Sequence, residues 1–237
     1  MIATIVNCAA VLVGSLIGLL FNKRITEKFK TVIYTGIGMF TLVIGVMMAL
    51  ETTRILFVGL SVVAGGLLGS WWKVEGGILK LGERLQSRFG GAEQGEGGTF
   101  ALGFLNASVL FCVGAMTIVG SFRAGAEGNY DLILTKSVMD GFMAILLAAA
   151  MGPGVAFSVL AILVYQGGLT LLAGLISPYV SDLVLSELSG TGGILVMMIG
   201  LNLLRLKDIK TGDFLPALGV ILAFALIEPV AIQAFGL

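Results

Sequence analysis

Apolar residues run along this chain in blocks close to the ~20 residues that a helix needs to cross hydrocarbon. Eight blocks can be marked, at 1–21, 32–50, 54–72, 100–122, 132–151, 155–177, 190–206 and 213–235. Each predicts a helix. The fifth and sixth are separated only by Gly152-Pro153-Gly154, so one long kinked element, giving seven crossings, is the alternative. Between the third and fourth blocks the period changes. Ile78, Leu81, Leu85 and Phe89 recur at helical spacing, with Lys80, Glu83, Arg84 and Arg88 on other faces. This predicts a short helix lying in the membrane interface. The glycine-rich tract 89–98 that follows reads as a flexible linker.

Charge decides between seven and eight crossings. Lysine and arginine collect in the cytoplasmic loops of membrane proteins. With eight crossings, the loops holding Lys23, Arg24, Lys28 and Lys30, then Lys73, Lys80, Arg84 and Arg88, then Arg205, Lys207 and Lys210 share one side, eleven positives against three. With seven, the last group falls on the wrong face. The expectation is eight spans with both termini outside. The first block is followed by positive charge instead of being preceded by it, so it is read as a retained span and not a signal peptide.

Composition removes several functions. Hydrophobic residues make up 57% and charged residues 12%, so lipid must be the solvent for much of the surface. Fourteen basic residues balance fourteen acidic ones, which argues against nucleic acid as a partner. The chain has no histidine, which removes His-based acid–base catalysis, Ser-His and Cys-His nucleophiles and imidazole metal sites. Cys8 and Cys112 sit in apolar blocks and read as small buried hydrophobes. The methionine pairs Met47-Met48 and Met197-Met198 read as packing in the absence of metal-ligand partners. No enzyme, cofactor or metal site is expected.

A weak internal repeat is visible. The stretch 7–18 can be laid on 166–177, matching Asn7 with Gln166 and Leu12, Leu16 and Ile17 with Leu171, Leu175 and Ile176. Gly38 and Gly45 then fall on Gly193 and Gly200 with the same separation. Blocks one to three would resemble blocks six to eight. Five crossings apart, the two groups would face opposite ways, as in the inverted repeats of secondary transporters. Chance alignment of glycine- and leucine-rich helices is the competing reading. The chain is thus expected to be one integral membrane domain, 1–237, with repeat-like halves 1–73 and 155–237, an interfacial helix and linker at 74–99, and central glycine-rich broken helices at 100–154.

The candidate chemistry lies in that central part. Asn106 and Thr117 are eleven residues apart, almost three turns, so a continuous helix puts them on one face with Ser121 close by. Gly114 and Gly120 either pack helices closely or let the helix unwind. Lys136 and Asp140 stand at i and i+4 and can pair. An ionisable residue at membrane depth costs about 2.5–3.5 kcal/mol, which makes Asp140 a functional candidate; at the headgroup level the pair is only an anchor. Gly152, Pro153 and Gly154 form a turn, either a tight hairpin or the break of a re-entrant pair. Gln166 and its repeat mate Asn7 could supply amides at the midplane. Asn202 has no assigned role, and Glu228 before Pro229 reads as a solvated end of the last block.

At Gly114-Ala-Met-Thr-Ile-Val-Gly-Ser121, Lys136-Ser-Val-Met-Asp-Gly141, Tyr165-Gln-Gly167 and Leu215-Pro-Ala-Leu218 the chain resembles the DUF554, or YqgA-like, family of bacterial integral membrane proteins over nearly its whole length. The resemblance implies a multi-pass protein of the bacterial inner membrane and carries no catalytic residue with it. The family pattern has an acidic residue after the Gly-Ser pair, where this chain has Phe122-Arg-Ala-Gly125. That departure argues against a shared acidic site in the outer loop.

The leading expectation is a secondary transporter or exchanger of a small solute or ion. Its site would lie where blocks one, four, five and six meet, built from Asn7, Asn106, Thr117, Ser121, Lys136, Asp140 and Gln166. A non-transporting scaffold or regulator is the alternative, and a channel ranks third because no continuous polar stripe runs along several helices. A Ser-Lys protease fails because Lys136 and Ser137 are adjacent and point apart. The glycine-rich 64–69 would serve either a homodimer or packing within one chain.

Overall fold

The computed structural model describes residues 1–22, 27–89, 97–113, 115–176 and 181–235, without the side chains of 27, 30, 89, 97–99, 115, 176 and 228–235. Among them every regular element is helical: α1 (Ile2–Asn22), α2 (Glu27–Ala49), α3 (Ile55–Trp72), α4 (Val74–Phe89), α5 (Gly97–Cys112), α6 (Ala115–Phe122), α7 (Asp131–Met151), α8 (Gly154–Ile176), α9 (Asp182–Leu203) and α10 (Pro216–Phe235). A π-helical turn at Arg123–Glu127 ends α6, and a 3-10 turn at Thr211–Phe214 leads into α10. Six of these helices are long and apolar enough to cross a membrane, seven if the bent pair α5–α6 is counted as one span. In the last block the described apolar stretch, Thr211–Ile227, is shorter than a full crossing. The chain is an all-α, polytopic membrane bundle.

Small residues decide which helices meet. A Cβ placed on Gly14 or Gly18 of α1 would lie 2.2 Å from the carbonyl oxygen of Gly141 or Ile145 in α7. The α1 and α7 backbones therefore touch. In lipid this contact replaces the hydrophobic drive that water supplies to soluble bundles. Helices α2 and α9 meet as antiparallel partners: Gly38 packs on the Gly200 carbonyl and Gly45 on that of Gly193, each glycine facing its opposite number. The glycines of 64–69 are used within the chain, Gly65 against Ala217, Gly66 against Phe214 and Gly69 against Asp213. The three pairs that an inverted repeat would relate, α1 with α8, α2 with α9 and α3 with α10, are all in contact.

Helix α4 forms where the amphipathic period predicts it, directly after Lys73, whose left-handed backbone (φ 55) ends α3. Gly152, with φ +83, closes a turn between α7 and α8, which have 21 and 23 residues. Both arms are full-length, so Gly152-Pro153-Gly154 is a hairpin and not a re-entrant break. Gly154 packs there against the Phe100 carbonyl.

Candidate functional site

The polar centre of the bundle is built from α1, α7, α8 and the junction of α5 with α6. Helix α5 stops at Cys112 and α6 starts at Ala115, and the two are bent by 58°. Gly114, the expected hinge, lies outside the described residues. A helix that ends inside a membrane leaves carbonyls without intrahelical partners, and side chains must satisfy them. The Phe111 carbonyl accepts from Lys136 Nζ at 2.8 Å and from Thr117 Oγ1 at 3.3 Å.

Lys136 also pairs with Asp140 Oδ2. Both are buried, at 6% and 7% exposure. Asp140 is the tenth residue of the 21-residue α7. At 1.5 Å per residue it lies about 14 Å along a helix about 31 Å long, close to its middle. From α1, the Asn7 Nδ2 amide donates to Asp140 Oδ2 at 3.0 Å and to Gln166 Oε1 of α8 at 2.9 Å. The repeat mates therefore touch at the bundle centre. Asn7 Oδ1 and Gln166 Nε2 are buried without hydrogen-bond partners, leaving an acceptor atom and a donor atom unused. One turn from each, Thr4 and Thr170 hydroxyls lie 3.4 Å apart.

The structure thus gathers Asn7, Thr117, Lys136, Asp140 and Gln166. Asn106 does not join them. The eleven-residue spacing that puts it on the face of Thr117 holds only for a straight helix, and the bend turns the two residues to different surroundings. Asn106 lines a separate cavity of about 250 Å³ with Tyr34, Glu75, Asn202, Arg205 and Thr211. Ser121 is fully buried with no partner for its hydroxyl, and Gly120 makes room for Ile133 of α7. Cys8 is buried, Cys112 half-buried, and both are free thiols. The side chain of Glu228 lies outside the described residues.

A larger cavity, about 790 Å³, lies between α2 and α7 and reaches the polar centre at Phe111, Thr117, Lys136 and Asp140. Met47 and Met48 form part of its wall, which gives that methionine pair a packing role at a cavity edge.

The wrong start predicted for the seventh block hid two residues. Helix α9 begins at Asp182 with Ser181 as its N-cap, accepting from the Val184 amide at 3.3 Å. A serine followed by an aspartate before an apolar run is a helix-start signal, and it was there to be read. Glu187, 1% exposed, accepts from the Thr53 and Arg54 amides at 2.8 and 3.0 Å and from both threonine hydroxyls of the α2–α3 loop. It closes the otherwise open start of α3. Ser189 lines the large cavity.

At the basic end, Asn202 holds the loop after α9 through the Ile209 amide and carbonyl, at 2.8 and 2.7 Å. Glu75 is tied to the turn before α10 twice: its amide donates to Asp213 Oδ1 and its Oε2 accepts from the Gly212 amide, each at 2.9 Å. Burial holds the Glu75 carboxyl above the ordinary range, opposed by the Gly212 amide.

The family profile described as "Protein of unknown function (DUF554)" matches residues 2–226. The chain belongs to this family. Within DUF554 it is similar to the "Uncharacterized membrane protein YdfK" of Bacillus subtilis (strain 168), 31% identical over 245 residues that cover 100% of this chain and 99% of the relative. It is also similar to the "Uncharacterized protein YqgA" of Escherichia coli (strain K12), 26% identical, covering 92% and 93% of the two chains. No solved structure matches. For this DUF554 protein the family establishes membership and a membrane setting, and any function has to be argued from the site.

Proposed function

We propose that this protein is a secondary transporter or exchanger of a small solute or ion, multi-pass in the bacterial inner membrane with both termini outside. The observation that carries the reading is the buried Lys136–Asp140 pair at the middle of α7, beside a broken helix and next to a cavity. Ionisable groups at such depth are costly and are kept where ions or protons move. Asn7 Oδ1 and Gln166 Nε2 add hydrogen-bonding capacity that a solute would use. The antiparallel Gly38–Gly200 and Gly45–Gly193 contacts, and the touching repeat mates, support an inverted repeat whose halves rock about this centre.

The test is uptake into proteoliposomes after a thermal-stabilisation screen of ions, amino acids and organic acids. A stabilising solute should be taken up by the wild type, and Asp140→Asn should lose its coupling to an ion gradient. Absence of uptake for every stabilising solute, with Asp140→Asn indistinguishable from wild type, would leave the polar centre as helix glue in a scaffold.

A further inference from the structure

The cavity between α2 and α7 narrows the class of solute, on the basis of the transport reading above. Its outer wall is apolar and exposed: Phe40, Met47, Val138 and Phe142 are 47%, 65%, 66% and 68% exposed. Its inner end is made of buried Thr117, Lys136 and Ser189. Ser189 comes from α9, is fully buried, and its hydroxyl has no partner. Met116 and Thr117 also line the cavity, so the first turn of α6 opens on it. Amides of a first turn have no intrahelical acceptors and carry partial positive charge. Donors therefore converge on the inner end, while the Phe111 carbonyl there is already occupied by Lys136 and Thr117.

We propose that this cavity takes an amphipathic monocarboxylate, aliphatic or aromatic, whose carboxylate replaces Asp140 as the counter-ion of Lys136 when Asp140 takes a proton. The charges balance at each step. The resting pair is neutral; a proton from water on Asp140 leaves Lys136 positive, and one carboxylate restores neutrality. On the other side Asp140 gives up its proton, pairs again with Lys136 and displaces the anion. One proton and one carboxylate cross with no net charge moved. A cation would meet Lys136, and a dianion would leave a charge uncompensated at mid-span.

The titratable groups around Asp140 are few. Lys136 shares its helix, and Cys112 of α5 lies within electrostatic range of Lys136, Asp140 and Cys8 of α1. Tyr165 of α8 lies near Cys112, and Glu51 of the α2–α3 loop lines the cavity. Helices α6 and α9 line the cavity with Met116, Thr117, Ser189 and Val196, none of them titratable.

Calorimetric binding to the detergent-solubilised full chain tests this, between about pH 6.5 and 8.5, where hexanoate and phenylacetate stay ionised. Hexanoate, phenylacetate and palmitate are the probes, with hexanol and hexylamine as controls. The carboxylates should bind and the controls should not. Wild-type affinity should rise as pH falls, by up to about tenfold per unit, because only protein with protonated Asp140 is competent. Asp140→Asn should bind at all these pH values with the low-pH affinity, and Ser189→Ala should bind more weakly. Binding of palmitate alone with the same pH and Asp140→Asn behaviour supports the carboxylate site and assigns its source to the membrane. Equal binding of hexanol and hexanoate, pH-independent wild-type binding, or no carboxylate binding overturns the proposal. Lys136→Gln should lose binding; if it does not fold, Asp140→Asn and Ser189→Ala still decide. Carboxylate binding without uptake would keep this site and remove transport. Uptake of another solute without carboxylate binding would do the reverse.

Discussion

Replacing Lys136 by methionine removes the cation that faces Asp140 and shortens the unbranched side chain by one atom. Asp140 would then be a buried carboxylate, 7% exposed, with Asn7 Nδ2 at 3.0 Å as its remaining donor. Breaking one side of a buried pair costs about 3–5 kcal/mol, and insertion of a lone charged residue into the membrane about 2.5–3.5 kcal/mol. About 3 kcal/mol is therefore expected for Lys136→Met. Asp140→Asn should cost less, about 1–2 kcal/mol, because a lysine hydrogen-bonded to neutral carbonyls is still partly satisfied. In that variant Lys136 keeps the Phe111 carbonyl at 2.8 Å and gains the carbonyl of the introduced amide in place of the carboxylate. The double variant has no buried charge, so its cost should fall short of the sum by about 2 kcal/mol. The assay is equilibrium unfolding in mixed micelles, read by helical circular dichroism, for the wild type and all three variants. Additivity within about 0.5 kcal/mol would refute a tightly coupled pair.

Three further outcomes are expected in the same assay. Gly14→Ala, whose Cβ would lie 2.2 Å from the Gly141 oxygen, should cost about 1–3 kcal/mol, whereas Gly59→Ala, with open space around it, should be neutral or stabilising. Glu187→Ala leaves the Thr53 and Arg54 amides without their carboxylate and should cost about 2–3 kcal/mol, with the α2–α3 loop exchanging amide hydrogens faster. Glu75→Gln should raise Tm at neutral pH: the folded carboxyl keeps its proton to a higher pH than the unfolded chain, so wild-type stability falls as pH rises above the ordinary value of 4.5. The gain should vanish below that value, and an equal gain at every pH would sink the explanation.

Much of the architecture was legible because lipid imposes a simple rule on sequence. Long apolar blocks, the amphipathic switch at 78–89 and the left-over ionisable pair are local patterns, and each reports its environment directly. The i, i+4 spacing of Lys136 and Asp140 likewise needed no knowledge of neighbours. The Asn7–Gln166 correspondence also came from sequence comparison, and the structure puts the two amides in contact. The start of α9 escapes the apolar pattern because Asp182, Ser186, Glu187 and Ser189 interrupt its first two turns.

By itself the sequence determined that this chain is an all-α, multi-pass membrane protein and which few polar residues its interior must accommodate, since burial in hydrocarbon tolerates nothing else. Only the tertiary structure decided which of them meet. The 58° bend between α5 and α6 separates Asn106 from Thr117 and frees the Phe111 carbonyl for Lys136. The glycine contacts of α1 on α7 bring Asn7 to Asp140. Hydrophobic periodicity assumes a straight helix and is blind to partners far along the chain, so neither the bend nor those contacts is written in it.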